Sequence, residues 1–589
     1  MSQPGSPRHI DQLLREAVEL QQNGALAEAE STYREILALR PRHFDALQLL
    51  GALALQAGRY EEGAALLRKA LEIDPRQAPL HSNLAFALNA LGLHDAALAA
   101  ANRALALKSG FIDALNNRGM ALAGLNRAEE ALASFEKALA GKPDFSEAWS
   151  NRSCVLRDLG RPEDALSSCD QAIALRPNYA QAWSNRGNAL SDLNRPREAQ
   201  ASYERALAAS SSLADAWNNL GLTFVDMNRH ADALACYERA LALSPDAAET
   251  HWNRALCLLQ TGELTAGFAE YEWRWARKRI APSRRAFDAP LWLGDTPLAG
   301  KTILLHAEQG LGDTLQFCRY AALVAAQGAH VVLEVQPELT RLLAGLEGVG
   351  ERVTAGDPLP PFDYHSPLLS LPLALHTTIA TIPARTPYLF ADRPTASRWQ
   401  ARVDAAASAQ PNALKVGLAW AGGHRPHVPE LRKNDARRSL SFARFAPIVE
   451  VPGVQFFSLQ KGANAVQQLG AMREHHEASR RIVDWTDELT DFADTAALVD
   501  NLDLVISVDT STAHLAGAMN KPVWILNRLD TCWRWMLERE DSPWYPSARL
   551  FRQPALGDWD SVIDSIVREL TTLAQTHRHT HTHAAKVVR

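Results

Sequence analysis

A spacing of 34 residues runs through the first half of the chain and constrains its fold more than any other feature. Small residues recur at this spacing at two helical positions, and no insertion disturbs the frame from about Ile10 to Ala281. The first series is Ala70, Ala104, Ala138, Ala172, Ala206 and Ala240, and the second is Ala29, Gly63, Ala97, Ala131, Ala165, Ala199, Ala233 and Gly267. Such a period is typical of a solenoid, in which each repeat buries its apolar face only against its neighbours.

Turn residues divide each repeat into two helices. A Gly or Asn that can adopt the left-handed conformation follows each first helix, at Gly24, Gly58, Gly92, Asn126, Gly160, Asn194, Asn228 and Gly262. Prolines mark the turns between repeats at Pro41, Pro75, Pro143, Pro177 and Pro245. This pattern resembles the tetratricopeptide repeat, a pair of helices, and residues 10–281 hold eight units. The resemblance implies a right-handed superhelix with a groove lined by the first helices.

One polar position on the first helices could carry function. Asparagine occupies it in six successive units, at Asn83, Asn117, Asn151, Asn185, Asn219 and Asn253. Because an amide both donates and accepts hydrogen bonds, such a ladder could hold the backbone of an extended protein or peptide partner. The alternative is that these amides bond between neighbouring helices.

Charge and cysteine content limit the partners and the compartment. A net charge of −6 gives no electrostatic reason to expect nucleic acid as a partner. Six scattered cysteines without CxxC spacing favour reduced thiols, and the start MSQPGSPRHIDQ has no apolar signal region, so we expect a cytoplasmic protein. No apolar stretch is long enough to span a membrane. The basic segment Arg274–Arg285 reads as a solvated connector, although it is compatible with peripheral membrane contact.

The second half alternates strands and helices. A strand over Thr302–His306 leads into the glycine-bearing loop AEQGLGD, and a second strand is expected over His330–Val335. After a helix near 393–410, further strands are expected over Lys415–Trp420, Val454–Ser458, Leu504–Val508 and Val523–Leu526. This order predicts two Rossmann-like lobes with a ligand cleft at the carboxyl ends of their strands, the arrangement called GT-B.

Two motifs resemble those of glycosyltransferase family 9, the heptosyltransferase-like enzymes. They are GLGD at Gly310–Asp313 and the segment Asp509-Thr510-Ser511-Thr512-Ala513-His514 followed by Leu515-Ala516. The resemblance covers about Lys301–Leu570, and bacterial proteins that join such a domain to tetratricopeptide repeats are similar in organisation. Heptosyltransferases usually have Gly where this chain has Ser511, so the sugar stays open.

The resemblance implies an inverting transfer of sugar from a nucleotide-sugar donor to an acceptor hydroxyl. Asp313 would be the general base, with a plain helix cap as the alternative. Asp509, Thr510, Ser511, Thr512 and His514 would bind the donor, since a strand-to-helix turn can hold a diphosphate. Among the loop cations Lys433, Arg437, Arg438 and Lys461, we expect Arg438 and Lys461 to contact the donor, and Arg438 fits the diphosphate best.

No metal site is expected, because the only DxD segment follows a glycine and precedes an apolar helix. No cofactor is expected, because the nucleotide-sugar is a substrate. The DxD segment Asp558–Asp560 reads as a helix cap, and the terminal histidines His577, His579, His581 and His583 as part of a disordered tail. The aromatic segment from Cys532 to Pro546 could stack on a sugar or pack against the sheet.

These features predict six segments. They are a flexible tail (1–9), the repeats (10–281), a linker (282–300), the acceptor-side lobe (301–395), the nucleotide-sugar-side lobe (396–572) and a His-rich tail (573–589). Three functions stay open: a transferase whose repeats recruit a protein acceptor, a transferase acting on a glycan or lipid-linked acceptor, and a scaffold with an inactive transferase domain.

Overall fold

The predicted repeats fold as consecutive helix pairs. The computed structural model describes residues 7–278, 280, 284–408, 410, 412–423, 435 and 437–587, and it divides into two units, Met1–Phe224 and Val225–Arg589. The repeat helices in the described residues are α1 (Pro7–Gln22), α2 (Leu26–Leu39), α3 (Phe44–Gln56), α4 (Tyr60–Ile73), α5 (Ala78–Ala90), α6 (His94–Leu107), α7 (Ile112–Gly124), α8 (Ala128–Gly141), α9 (Ser146–Asp158), α10 (Pro162–Leu175), α11 (Ala180–Asp192), α12 (Pro196–Ala209), α13 (Ala214–Asp226), α14 (His230–Leu243), α15 (Ala248–Gln260) and α16 (Leu264–Tyr271). Helix α1 begins at Pro7, within the segment 1–9 that was predicted to be a flexible tail.

The small residues and the turn residues act as the sequence predicts. The alanines of the first series, from Ala70 to Ala240, are all fully buried between helices. At Gly187, an added Cβ would lie 2.6 Å from Cε1 of Tyr203, so only glycine allows α11 and α12 to approach this closely. All eight turn residues have positive φ, from 56° at Asn194 to 88° at Gly262. This conformation ends each first helix and starts the reversal into the second.

The first α/β lobe is built on a four-stranded parallel sheet. Its strands are β1 (Thr302–His306), β2 (His330–Val335), β3 (Glu351–Thr354) and β4 (Tyr364–Pro367), in the order β3-β2-β1-β4. The helices are Leu311–Phe317, Ala321–Ala325 and Leu371–Ala374. The strand order reverses between β1 and β4, so the loop after β1 lies where open α/β sheets bind ligands.

The second lobe has six parallel strands. They are β5 (Leu414–Ala419), β6 (Val454–Ser458), β7 (Val483–Asp484), β8 (Leu504–Val508), β9 (Val523–Asn527) and β10 (Ala548–Arg552), in the order β10-β9-β8-β5-β6-β7. Its helices are Arg393–Ala407, Phe442–Val449, Ala463–His475, Glu477–Arg480, Phe492–Asp500, Ser511–Ala518 and Trp559–Val587. The order reverses between β5 and β8, which brings the Gly422–Gly423 loop and the Asp509 turn to one edge.

The last helices of the array share a hydrophobic core with the α/β lobes. Leu259, Phe268 and Tyr271 of α15 and α16 belong to the same buried cluster as Phe317 and Trp533. The ring of Phe268 meets that of Trp533 edge to face with centroids 5.6 Å apart. The second unit therefore contains the end of the array, whereas the sequence placed a domain boundary near residue 281.

The chain end is helical rather than disordered over its described part. The helix Trp559–Val587 continues through the predicted tail, and the hydroxyl of Thr576 donates to the carbonyl of Thr572, 3.0 Å away. The Arg578 guanidinium also donates to the Pro452 carbonyl at 2.9 Å. Composition alone did not predict that this helix continues into the segment.

Candidate functional site

The two motifs predicted to form the site pack against each other. Gly310–Asp313 follows β1 and opens the helix Leu311–Phe317, while Asp509–His514 follows β8 and opens the helix Ser511–Ala518. A Cβ on Gly312 would lie 2.9 Å from Cδ2 of His514 and 3.4 Å from Cα of Ser511. A side chain at position 312 would therefore separate the two motifs, which explains the glycine.

Asp313 combines a capping role with an ion pair. Its Oδ2 accepts the Gly310 N–H at 2.9 Å, which closes the first turn of its helix. Its Oδ1 accepts from the guanidinium of Arg534, which comes from the second lobe. The side chain is 19% exposed, so part of it remains accessible to solvent. The predicted capping alternative is thus present, and the carboxylate also holds a charge partner across the lobes.

Arg534 belongs to the candidate site through its contact with Asp313, and the sequence did not predict it. It is 9% exposed, and the neighbouring Asp313 raises the pKa of its guanidinium against the opposing effect of burial. The signal available in the sequence was an arginine between two tryptophans, Trp533 and Trp535, in an otherwise apolar segment. Burying a cation requires a nearby anion, and Asp313 supplies it.

The aromatic segment packs inside the protein. Trp533, Trp535, Trp544 and Tyr545 are at most 4% exposed, so packing rather than sugar stacking explains them. The Trp535 ring lies nearly parallel to the imidazole of His514, with centroids 5.2 Å apart.

His514 is held as a neutral imidazole. Burial lowers its pKa to about 3, and its Nδ1 lies 3.0 Å from the hydroxyl of Tyr545. A neutral imidazole can donate one hydrogen bond but brings no positive charge. Positive charge at this turn must therefore come from arginine or lysine.

The turn before the helix Ser511–Ala518 presents polar groups. Thr510 is the N-cap residue with extended backbone, and its hydroxyl lies 3.0 Å from that of Ser507. Ser511 is half-buried and Thr512 is buried. Because the first amides of a helix have no acceptor within it, this turn can receive an anion.

One predicted cation reaches this turn. Arg438 donates to the Asp509 carbonyl at 3.2 Å and to Oδ1 of Asp435 at 2.6 Å. Lys461 donates instead to the carbonyl of Leu489, and no described contact joins it to the motif. Arg437 pairs with Asp226 at 3.2 Å and Asp530 at 2.8 Å. Lys433 lies outside the described residues.

A second buried pair supports the loop that carries Asp313. Arg274 is fully buried, and it donates to both carboxylate oxygens of Glu308 at 3.1 Å and to Ser370 at 2.7 Å. Burial raises the pKa of Glu308 to about 7, and the nearby Glu272 carboxylate, which shares Arg274, adds to the shift. The segment was expected to be a solvated connector, but at Arg274 this prediction is wrong, because the side chain is buried and bonds to the first lobe. Arg279 of the same segment lies outside the described residues.

The asparagine ladder mostly braces neighbouring first helices. The amide of Asn117 on α7 donates to the Ser82 carbonyl of α5 at 2.9 Å, and that of Asn185 on α11 donates to the Ser150 hydroxyl of α9 at 3.0 Å. The amides of Asn151 and Asn219 donate to Asn116 and Asn188, at 3.1 and 2.9 Å. Asn83 is exposed, and Asn253 is half-buried. The amides of the four central asparagines therefore bond between neighbouring helices, which is the alternative that the sequence left open.

Side chains that could hold a metal do not cluster in the described part of the chain. No group of three or more His, Cys, Asp or Glu side chains is placed to bind an ion there. Asp558 accepts from the backbone and hydroxyl of Ser561, at 3.1 and 2.7 Å, as a helix cap. His577 and His579 lie on the last helix, whereas the side chains of His581 and His583 lie outside the described set. Every helix searched among the described residues is too short or too polar to cross a bilayer.

Comparison with known proteins establishes the repeats. Tetratricopeptide repeat models match residues 20–82, 54–116, 116–180, 150–195, 180–246 and 219–283. Protein FlbA of Caulobacter vibrioides is 27% identical over 339 residues, which cover 54% of this chain and 54% of FlbA. The match thus spans about half the length of that curated relative. The first half of this chain is an array of tetratricopeptide repeats.

Solved structures of repeat proteins are also similar. A tetratricopeptide repeat protein from Parabacteroides merdae is 17% identical with a TM-score of 0.38, covering 43% of this chain and 99% of that one. YrrB, described as having an unusual peptide-binding site, is 26% identical with a TM-score of 0.25, covering 31% and 95%. PilF of Pseudomonas aeruginosa is 25% identical with a TM-score of 0.31, covering 36% and 96%.

Proposed function

We propose that the protein is a glycosyltransferase that moves a sugar from a nucleotide-sugar donor to an acceptor hydroxyl with inversion. One observation carries the proposal: Gly312, which directly precedes Asp313 in the motif after β1, packs against Ser511 and His514 in the motif after β8. Each motif lies at the carboxyl end of a parallel strand beside a reversal of strand order, where α/β folds bind ligands. The GT-B assignment and the likeness to glycosyltransferase family 9 belong to this proposal.

The chemistry divides between the lobes. The Asp313 carboxylate takes the proton of the acceptor hydroxyl as its oxygen forms the new bond to the anomeric carbon. The bond from that carbon to the diphosphate breaks, and the nucleoside diphosphate leaves with the electron pair. The first amides of the helix Ser511–Ala518 and the Arg438 guanidinium stabilise the charge that develops on the leaving group.

The other donor contacts follow from position. Asp509 repels phosphate, so its carboxylate suits a hydroxyl of the sugar or the ribose, while its carbonyl orients Arg438. The neutral His514 imidazole offers a single N–H to the phosphate or the sugar. Thr510, Ser511 and Thr512 complete the turn with hydroxyl groups.

The repeats extend the proposal to the acceptor. Tetratricopeptide arrays present large surfaces for proteins, and we infer that this array recruits a protein acceptor or a partner that delivers one. Since four ladder amides already bond to neighbouring helices, surfaces other than the ladder would hold that protein. A cytoplasmic location accords with this role.

The donor is tested by thermal unfolding with a panel of nucleotide-sugars in metal-free buffer. A ligand at 100 times its Kd should stabilise the folded state by about 2.7 kcal/mol, and hydrolysis of the same donor should be measurable. If no nucleotide-sugar raises the Tm and none is hydrolysed, the transferase proposal is wrong and a scaffold role takes its place.

The base is tested with Asp313→Asn. Loss of a general base lowers transfer by about 10²- to 10⁴-fold. The control is Asp357→Asn, which changes an exposed carboxylate of the same lobe outside the site. Equal rates for the two variants would remove Asp313 from the mechanism.

A further inference from the structure

Arg534 has the properties of a ligand-binding cation and is occupied by a carboxylate. Its guanidinium is buried, one terminal nitrogen donates to Asp313, and the other lies 3.2 Å from the sulfur of Cys532. Its Nε has no hydrogen-bond partner within the described part of the chain. A buried guanidinium has already lost its hydrogen bonds to water. An N–H without a partner can therefore donate to an anion at no further cost of desolvating the guanidinium.

The surroundings place this cation beside the expected diphosphate. Arg534 donates to Asp313, and the adjacent Gly312 packs against Ser511 and His514. The ring of Trp535, the residue after Arg534, also stacks on the His514 imidazole, so the arginine lies close to the turn that opens the helix Ser511–Ala518. His514 itself is neutral and buried there. Arg534 thus supplies the charge that the histidine lacks.

The same pair restricts Asp313. One of its oxygens accepts the Gly310 N–H and the other accepts from Arg534, so an approaching hydroxyl meets a carboxylate with both oxygens engaged. A diphosphate carries more negative charge than one carboxylate and offers arginine paired oxygens. A bound diphosphate can therefore compete for the guanidinium.

We propose that Arg534 is a diphosphate-binding catalytic residue that donor binding draws from Asp313, so that the base becomes free only when the donor is present. This inference rests on the proposed transferase function and extends it with an order of events. The nucleotide-sugar binds, Arg534 turns to its diphosphate, and Asp313 then accepts the proton of the acceptor hydroxyl. The acceptor oxygen forms its bond to the anomeric carbon as the nucleoside diphosphate departs.

The test measures the affinity of inorganic pyrophosphate by calorimetry in metal-free buffer. Asp313→Asn should bind pyrophosphate more tightly than the unaltered protein, because Arg534 no longer has a competing anion. Coupling between two sites commonly amounts to about 5- to 150-fold, and we expect a gain in this range. Arg534→Gln should weaken binding by a similar factor.

The double variant gives the decisive comparison. In the Arg534→Gln background, Asp313→Asn should leave the pyrophosphate affinity unchanged, since the cation that it would release is absent. Arg539→Gln is the matched control, because Arg539 lies on the same segment but pairs with Asp541 at 2.8 Å, and it should bind like the unaltered protein. If Arg534→Gln fails to fold, Arg534→Lys takes its place. In that background, Asp313→Asn should raise the pyrophosphate affinity by a smaller factor than it does in the unaltered protein.

Two outcomes would overturn the inference. One is an Asp313→Asn variant that binds pyrophosphate no more tightly than the unaltered protein, which would make the ion pair a clamp between the lobes. The other is an Arg534→Gln variant with undiminished affinity while Arg438→Gln loses it. The transferase proposal would survive both, because it is decided separately by the nucleotide-sugar panel.

Discussion

Charged side chains are used differently in the two units. In the first unit, pairs such as Arg161 with Asp164 join residues one turn apart, and both side chains are 50% exposed. In the second unit, Arg274 and Glu308 are 1% and 5% exposed and join the end of the repeats to the first lobe. Exposed pairs contribute little, whereas a buried charge without its partner is strongly destabilising. Arginine and acidic residues therefore form solvent-exposed pairs on the surface of the array, whereas the buried pair supports the proposed site.

The largest expected effect comes from breaking the buried pair. Arg274→Met should destabilise the second unit by about 3–5 kcal/mol, because it leaves the Glu308 carboxylate buried without its guanidinium. Urea unfolding followed by tryptophan fluorescence measures the change. The variant Arg274→Met/Glu308→Gln removes both charges and should recover part of the loss. A single variant as stable as the unaltered protein would show that Glu308 is satisfied without Arg274.

The sequence predicted the elements well where the signal is local. β1, β2, β6 and β8 have the predicted bounds, because each is a short apolar run between turn residues. The left-handed residues that end the first helices were predicted for the same reason. The close approach at Gly312 was not predicted, although a glycine in a motif such as GLGD can mark such a contact.

The site charges could not be predicted in this way. Arg534 and Asp313 are 221 positions apart, and nothing near either residue encodes the other. Arg274 lies in a basic run that looks solvated, yet its own side chain is buried, because tertiary packing decides which member of a charge run turns inward. The asparagine ladder is a different case. Its periodicity was recognised correctly, but the sequence did not show whether the amides point into the groove or towards neighbouring helices.

The second prediction concerns pH. Since burial raises the pKa of Glu308 from 4.5 to about 7, the folded state keeps a proton that the unfolded chain loses. This contribution to stability is present below the unfolded pKa and is lost as the pH rises through about 7. Glu308→Gln should therefore flatten the dependence of the unfolding free energy on pH between 4.5 and 7. Asp357→Asn, in an exposed loop of the same lobe, should leave it intact, and an unchanged slope in Glu308→Gln would show that Glu308 does not titrate in this range.

The third prediction tests bracing within the array. Asn185→Ala removes a buried amide that donates to Ser150, and it should cost about 1–3 kcal/mol because the serine also loses its partner. Asn83→Ala, at the equivalent but exposed position, should cost much less. Thermal unfolding of the two variants measures the contrast. Equal melting temperatures, with weaker binding of a protein partner by Asn185→Ala, would favour the peptide-holding interpretation instead.

The smallest effect is expected at the surface of the array. Arg161→Ala removes an ion pair with Asp164, which lies one turn further along α10, and both side chains are half exposed. Water solvates the two charges nearly as well as they solvate each other, so little stability is lost. The melting temperature should change by no more than about 1 °C, since such pairs contribute little and the unit is large. Raising the salt concentration should shrink even this difference, because ions screen exposed charges. A loss comparable to that of Arg274→Met would mean that the array's surface charges act as a network, and the contrast between the two units would then no longer hold.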